Sequence, residues 1–324
     1  MTTAADDWRW MGAALALASR GIGTTFPNPS VGCVIVNDGR VVGRGWTQPG
    51  GRPHAEAAAL AQAGEAARGA TAYVTLEPCA HVSPRGPSCA DSLVAAGVAR
   101  VVIAAHDPDP RTDGDGVARL RAAGIAVTSG VRATEAEAGL AGFLTRLKHG
   151  RPHITLKLAV SLDGAIAMGD GRSKWITGDR ARAAAHLERA RCDLIVVGRG
   201  TWDADAPALD VRLPGLEARA PRIGVVGRGN GLPPHVTHFP NLATLTADPA
   251  LTVLVEGGMG LAASLLAADL VDILLLHRAP ILIGGGRALG DIGLADLAHA
   301  HGRWQPAPIV TLGADRIERH TRIR

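Results

Sequence analysis

His54 and Glu56 stand two residues apart in "HAE", and Cys79 and Cys89 bracket a proline-bearing stretch, "EPCAHVSPRGPSC", at 77–89. An imidazole and two thiolates form a donor set for Zn²⁺. Three protein donors leave the fourth tetrahedral position to water, whereas structural zinc sites are closed by four. Glu56 follows His54 too closely along a helix to share the metal. It is placed to reach the water instead, as a general base beside a ligand.

H-x-E followed by Pro-Cys and a further Cys is the pattern of zinc deaminases, in which the glutamate shuttles protons. Nine residues rather than two separate the cysteines here. H-x-E or Pro-Cys alone is common, so only the combination is specific. Cys33, inside "VGCVIV", and Cys192 read as small buried hydrophobes. His81 is the nearby residue that could close the site as a structural zinc module; as a pocket wall it would be a polar contact to substrate.

These side chains need elements to hold them. Residues 7–20 have helical spacing. Strands at 31–36 and 40–46 flank "NDG", a hairpin turn. A helix over 54–67 is ended by Gly69, so His54 opens it. A strand at 70–78 stops at the proline before Cys79, and a helix over 89–97 starts at Cys89. A strand (100–108), a helix (114–124), a short strand and a helix (133–150) complete the unit. This α-β-β-α-β-α-β-α-β-α order implies parallel crossovers and three layers. "KHGRP" (148–152) marks a boundary, giving domains 1–150 and 151–324. In the second, strands are expected at 153–164, 192–198, 222–226, 251–258 and 271–285, helices near 179–190 and 258–268, and a loop at 205–221.

The chain has 324 residues, a size for about two domains. Its 47% hydrophobic and 20% charged residues suit a globular protein. The net charge of +4 is scattered. One Tyr and three Phe argue against a nucleic-acid base deaminase, which needs basic patches with interleaved aromatics. Four cysteines make no disulfide scaffold. The start lacks a basic leader, and no run of about 18 apolar residues suggests a membrane span. A reducing cytoplasm is expected.

Taken in order, "PNPSVGCVIV", "GRPHAEAAAL", "GATAYVTLEPCAH", "AGVARVVIAAHDPDP", "GRPHITLKLAVSLDG", "SKWITG" and "VEGG" resemble the bifunctional riboflavin-biosynthesis deaminase/reductase family over nearly the whole chain. The resemblance implies a cytidine-deaminase-like α/β/α domain followed by a dihydrofolate-reductase-like α/β domain, in a homo-oligomer. It implies zinc on His54, Cys79 and Cys89, with Glu56 as proton shuttle. The first half would deaminate 2,5-diamino-6-(5-phosphoribosylamino)pyrimidin-4-one, and Asn28 would hydrogen-bond its base, although Asn28 between prolines also suits a turn. The second half would use NADPH to reduce the ribosyl group to ribityl. Ala159, Trp175, Thr201 and Asp205 align with dinucleotide contacts, and Ser173, Arg189, Leu209, Arg212 and Glu256 with substrate contacts. Arg189 and Arg212 could clamp the phosphate. In "GGMGLAAS" (257–264), Gly258 and Gly260 could present amides to a dinucleotide phosphate at a helix start, or serve close helix–sheet packing.

The chain departs from the family pattern at Thr47, usually histidine, at Ala206, the second of a usual aspartate pair, and at Gly227-Arg228, usually Asp-Ser. The loop between the cysteines is a residue longer, displacing Arg85. These changes leave open a deaminase on a related pyrimidine, joined to a reductase-like half that only binds or oligomerises.

Overall fold

The computed structural model describes residues 3–81 and 86–324. The chain divides into two compact units, Met1–His149 and Gly150–Arg324.

In the first unit, helix α1 (Ala4–Ala18) is followed by strands β1 (Gly32–Asn37) and β2 (Arg40–Trp46), then helix α2 (Ala55–Ala63) and strand β3 (Thr71–Leu76). Helix α3 (Cys89–Ala96), strand β4 (Arg100–Ala105), helix α4 (Asp115–Ala122), strand β5 (Ala126–Ser129) and helices α5 (Ala133–Gly139) and α6 (Ala141–His149) follow. The five strands lie in the order β2-β1-β3-β4-β5. The β1–β2 and β1–β3 pairs are antiparallel, and β3–β4 and β4–β5 are parallel. The expected element order is present. The single helix expected over 133–150 is broken at Leu140, and α1 starts earlier because Thr3 caps it with a reciprocal bond to Asp6.

Asp38 and Gly39 both take positive φ (47° and 73°), the backbone that a two-residue primed turn requires. This registers β2 against β1. Two glycines then bring α2 onto β2. A Cβ at Gly43 would lie 2.2 Å from the Ala59 carbonyl oxygen, and one at Gly45 would lie 2.4 Å from that of Ala55. Only a strand without side chains on that face lets the helix backbone approach so closely. Alanines on α2 complete the contact, and Ala55, Ala59 and Ala63 are buried with Cys33, Ile35, Tyr73 and Ile103 in one core.

In the second unit the strands are β6 (His153–Val160), β7 (Leu194–Gly198), β8 (Arg222–Val226), β9 (Val236–Phe239), β10 (Thr252–Glu256), β11 (Ile273–Arg278), β12 (Trp304–Pro306), β13 (Val310–Leu312) and β14 (Asp315–Arg322). The helices are α7 (Asp179–Arg189), α8 (Arg199–Asp205), α9 (Leu242–Thr246) and α10 (Met259–Ala267). The sheet runs β12-β14-β11-β6-β10-β7-β8-β9, with β13 paired to β14. Strands from β11 to β9 are parallel, and β14 turns back antiparallel. The strand expected to run to 285 ends at Arg278, before the proline in "APILIGG". Helix α8 runs up to and includes Asp205, the first residue of the expected loop, and ends at Ala206. The short β9, α9 and β12–β14 carry too few apolar residues to show periodicity.

Candidate active sites

The first site is built where α2, the end of β3 and the start of α3 meet. His54 is the residue preceding α2 and makes no side-chain capping bond, so its ring turns away from the helix amides. Its Nδ1 lies 3.3 Å from Cys89 Sγ and 3.7 Å from Cys79 Sγ. The Cys89 amide donates to Cys79 Sγ at 3.3 Å, which fixes α3 against the β3 exit. Ser88 caps α3 by accepting from the Asp91 amide. The ligand atoms of His54, Cys79 and Cys89 all lie within 4.8 Å of one another. Among the described residues no fourth His, Cys, Asp or Glu joins this group, His81 included. Arg85 lies outside the described residues.

Nδ1 and two thiolates converging from three elements fit a zinc ion with one position left for water. The electrostatics split the two thiols: the hydrogen bond to Cys79, followed by burial, pushes the Cys89 thiol up. Hydrogen bonds from Cys89 and His54 hold the Cys79 thiol well below its ordinary range, so a thiolate is favoured there. Glu56, on the first turn of α2, is 3% exposed. Burial pushes its carboxyl up, partly offset by His54, and its side chain is bonded to Cys89. A carboxyl that can hold a proton beside a three-donor metal group is suited to general acid–base work.

Asn28 donates through Nδ2 to the Gly51 carbonyl at 2.8 Å and lies 3.1 Å from His54 Nε2. It therefore steadies the ring that presents Nδ1. A buried His81 Nδ1 has no hydrogen-bond partner among the described residues. Thr47 is buried, and its hydroxyl accepts from the Val31 amide at 3.0 Å, tying the end of β2 to β1. Sequence reasoning passed over Glu77: its carboxylate accepts from the Val117 amide at 3.1 Å and meets His106 Nδ1 at 3.0 Å, anchoring the turn that delivers Cys79. The lone acid ending an apolar strand was its signal.

The second site is a cavity of about 1160 Å³ at the carboxyl ends of β6, β10, β7 and β8. Ligands in open α/β sheets bind at such strand ends. Ala159, Ser173, Trp175, Arg189, Thr201, Asp205, Leu209, Arg212, Glu256, Gly258 and Gly260 all line it. Seven Lys and Arg residues line it against two carboxylates, Asp205 and Glu256, so it suits anionic ligands. Gly257 and Gly258 both have positive φ, and a Cβ on Gly258 would lie 2.8 Å from Thr201 Oγ1. The turn from β10 into α10 therefore packs closely against α8, and the first amides of α10, which have no partner within the helix, start at a residue that lines the cavity.

Arg189 is committed to Glu256, so of the two expected phosphate clamps Arg212 is the freer. Arg189 Nε and Nη2 each donate to a Glu256 oxygen at 2.8 Å, and Nη1 donates to the Asp210 carbonyl at 2.9 Å. Arg212 is 62% exposed, with Nε 3.2 Å from Asp210. Lys157 also lines the cavity and was missed; a single cation inside "HITLKLAV" was the available signal. Burial pulls its ammonium pKa down, while Glu256 opposes that shift. Ala206 ends α8 in the left-handed region, and Gly227 has φ 136° with a would-be Cβ 2.8 Å from Arg199 Cβ. Both departures thus serve the backbone around α8. Asp163, just after β6, accepts from the Ile283 and Gly284 amides at 3.2 and 2.8 Å and so ties the β6 exit to that segment.

Fold and sites define a zinc deaminase joined to a nicotinamide-dependent reductase. A cytidine and deoxycytidylate deaminase zinc-binding region model matches residues 4–105, and a RibD C-terminal domain model matches 152–315. The riboflavin biosynthesis protein RibD of Escherichia coli is 41% identical over 91% of this chain and 94% of its own length. That of Mycobacterium tuberculosis is 41% identical over 94% of each. Acinetobacter baumannii RibD superposes with TM-score 0.91 at 36% identity, covering 99% of this chain and 100% of that one. A Thermotoga maritima diaminohydroxyphosphoribosylaminopyrimidine deaminase/5-amino-6-(5-phosphoribosylamino)uracil reductase gives 0.88 at 30% identity, over 98% and 99%. The chain belongs to the RibD family of bifunctional riboflavin-biosynthesis enzymes, with zinc and NADPH as its cofactors. Among the described residues no helix is long and apolar enough to cross a membrane.

Proposed function

We propose that residues 1–150 hydrolytically deaminate 2,5-diamino-6-(5-phosphoribosylamino)pyrimidin-4-one and that residues 151–324 then reduce the ribosyl group of the resulting aminouracil to ribityl. The observation that carries the reading is the convergence of His54, Cys79 and Cys89 within 4.8 Å beside a buried Glu56. Zinc, when bound, polarises a water and brings its pKa toward neutrality. Glu56 takes one proton from that water and passes it to the ring nitrogen as the oxygen adds to the carbon bearing the 2-amino group; it then takes the proton of the added hydroxyl and passes it to the amine, so that the carbon–nitrogen bond breaks and ammonia leaves. Asn28 and His81 orient the base. In the reductase half, Ala159, Trp175, Thr201, Asp205, Gly258 and Gly260 hold the dinucleotide. Ser173, Arg189, Leu209, Arg212 and Glu256 hold the substrate, with Arg212 on its phosphate. The enzyme is assigned to the cytoplasm, as a homo-oligomer with no nucleic-acid partner. Four free cysteines are in keeping with a reducing compartment.

The test is incubation of the zinc-loaded protein with the diaminopyrimidinone phosphate, with and without NADPH. Ammonia release without NADPH, followed by NADPH oxidation equal to the aminouracil formed, is the expected result. Ammonia release without any NADPH oxidation would remove the reductase assignment, and no ammonia would remove the deaminase assignment.

A further inference from the structure

One end of the reductase cavity carries a cation that the proposed reaction does not use, and a second stands in the loop beside it. Arg199, the first residue of α8, lines the cavity together with Val226 and Gly227 from the tip of β8. Its Nε donates to both Asp203 oxygens at 2.8 Å, and Nη1 donates to the Asn230 carbonyl at 3.0 Å. The Nη2 amine has no partner among the described residues. Gly227 and Gly229 both have positive φ, and a Cβ on either would lie 2.8 Å from Arg199 atoms. The loop 227–231 is therefore folded directly over this guanidinium. Arg228, inside that loop, is exposed and has no hydrogen bond or ion pair among the described residues.

The sheet order gives these residues a ligand. β10 and β8 flank β7. Neighbouring strands lie about 4.8 Å apart, so the β8 tip is roughly 10 Å from the start of α10. A dinucleotide with its pyrophosphate on the α10 amides would bring its adenosine ribose across β7 to that tip. In dinucleotide-binding α/β sheets an acidic residue beside the phosphate site accepts from a ribose 2′-hydroxyl, whereas an arginine nearby accommodates a 2′-phosphate. Residues 227–231 read Gly-Arg-Gly-Asn-Gly, without a carboxylate, and the nearby Asp203 is already bonded to Arg199. A guanidinium with its Nη2 amine free, beside a second guanidinium without a partner among the described residues, matches a dianionic phosphate.

We propose that Arg199 and Arg228 read the 2′-phosphate of the cofactor and set the preference for NADPH over NADH. The inference rests on the assignment of a dinucleotide to this cavity. Calorimetric titration of the full chain with 2′,5′-ADP and with 5′-ADP tests it without turnover. The unmodified protein binds 2′,5′-ADP more tightly. Arg228→Ala and Arg199→Lys each weaken 2′,5′-ADP binding by about tenfold or more, the loss expected of one charge-assisted hydrogen bond, and leave 5′-ADP binding unchanged. Equal affinity of the unmodified protein for the two nucleotides, or equal losses for both in the variants, would overturn the proposal while leaving the dinucleotide site standing. Binding of neither nucleotide would overturn both.

Discussion

Arg189 and Glu256 form a two-pronged pair, Nε and Nη2 each 2.8 Å from a carboxylate oxygen, with both side chains mostly buried. Burial alone would push the Glu256 carboxyl up; the Arg189 bonds and the Lys157 charge outweigh it and hold it below the ordinary range. Removing one member leaves the other buried without its two-pronged partner. Glu256→Gln should therefore destabilise the Gly150–Arg324 unit by roughly 3–5 kcal/mol. Denaturant titration checks this, and deaminase turnover should be unchanged.

Arg212 is expected to behave differently. It is exposed and leans on Asp210 alone. Arg212→Ala should leave stability within about 0.5 kcal/mol, as surface changes usually do, and mainly raise the reductase KM. Initial-rate kinetics separate the two parameters; an unaltered KM would count against a phosphate contact.

Gly45 tests how the metal group is positioned. A Cβ there would lie 2.4 Å from the Ala55 carbonyl oxygen, 2.7 Å from Ala58 Cβ and 2.7 Å from the Ala59 amide nitrogen. Gly45→Ala should force α2 off β2, at a cost of about 1–3 kcal/mol, and shift His54 with it. Metal analysis after dialysis should show zinc lost more readily than from the unmodified protein.

His277 gives the second unit a pH dependence. It is 1% exposed, and burial followed by repulsion from Lys157 pushes its pKa down to about 3. An unfolded histidine titrates near 6.5, so below that pH the unfolded chain binds a proton that the folded unit refuses. The neutral ring's contribution is complete above pH of about 6.5 and declines by about 1.4 kcal/mol per unit as pH falls toward 3. Denaturation midpoints measured at pH 7.5 and 5.5 should show a smaller difference in His277→Leu than in the unmodified protein.

The legible parts of this molecule were those in which local chemistry and spacing coincide. "NDG" between two apolar runs specified the β1–β2 hairpin, and "HAE" with "EPC" specified a metal group because helix starts and strand ends leave few places for such donors. The residues lining the reductase cavity were legible through family likeness, since they come from distant segments that only the parallel sheet brings together. Lys157, Arg199 and Glu77 were not legible. Each lies in an ordinary-looking segment, and its role depends on what packs across from it. The Arg189–Glu256 pairing was hidden for the same reason, as the partners are 67 positions apart. The short strands β12 and β13 exist because β14 offers them a ladder, which no local pattern encodes.

The central claim is that Glu56 moves protons for a group held by His54, Cys79 and Cys89 without being one of its ligands. Parallel measurement of zinc content and ammonia release in Glu56→Gln addresses it most directly. Zinc should stay at the level of the unmodified protein while ammonia release falls by about 10²–10⁴-fold, the range for a general acid–base residue. Ammonia release near the unmodified rate, or loss of the zinc together with the activity, would contradict it.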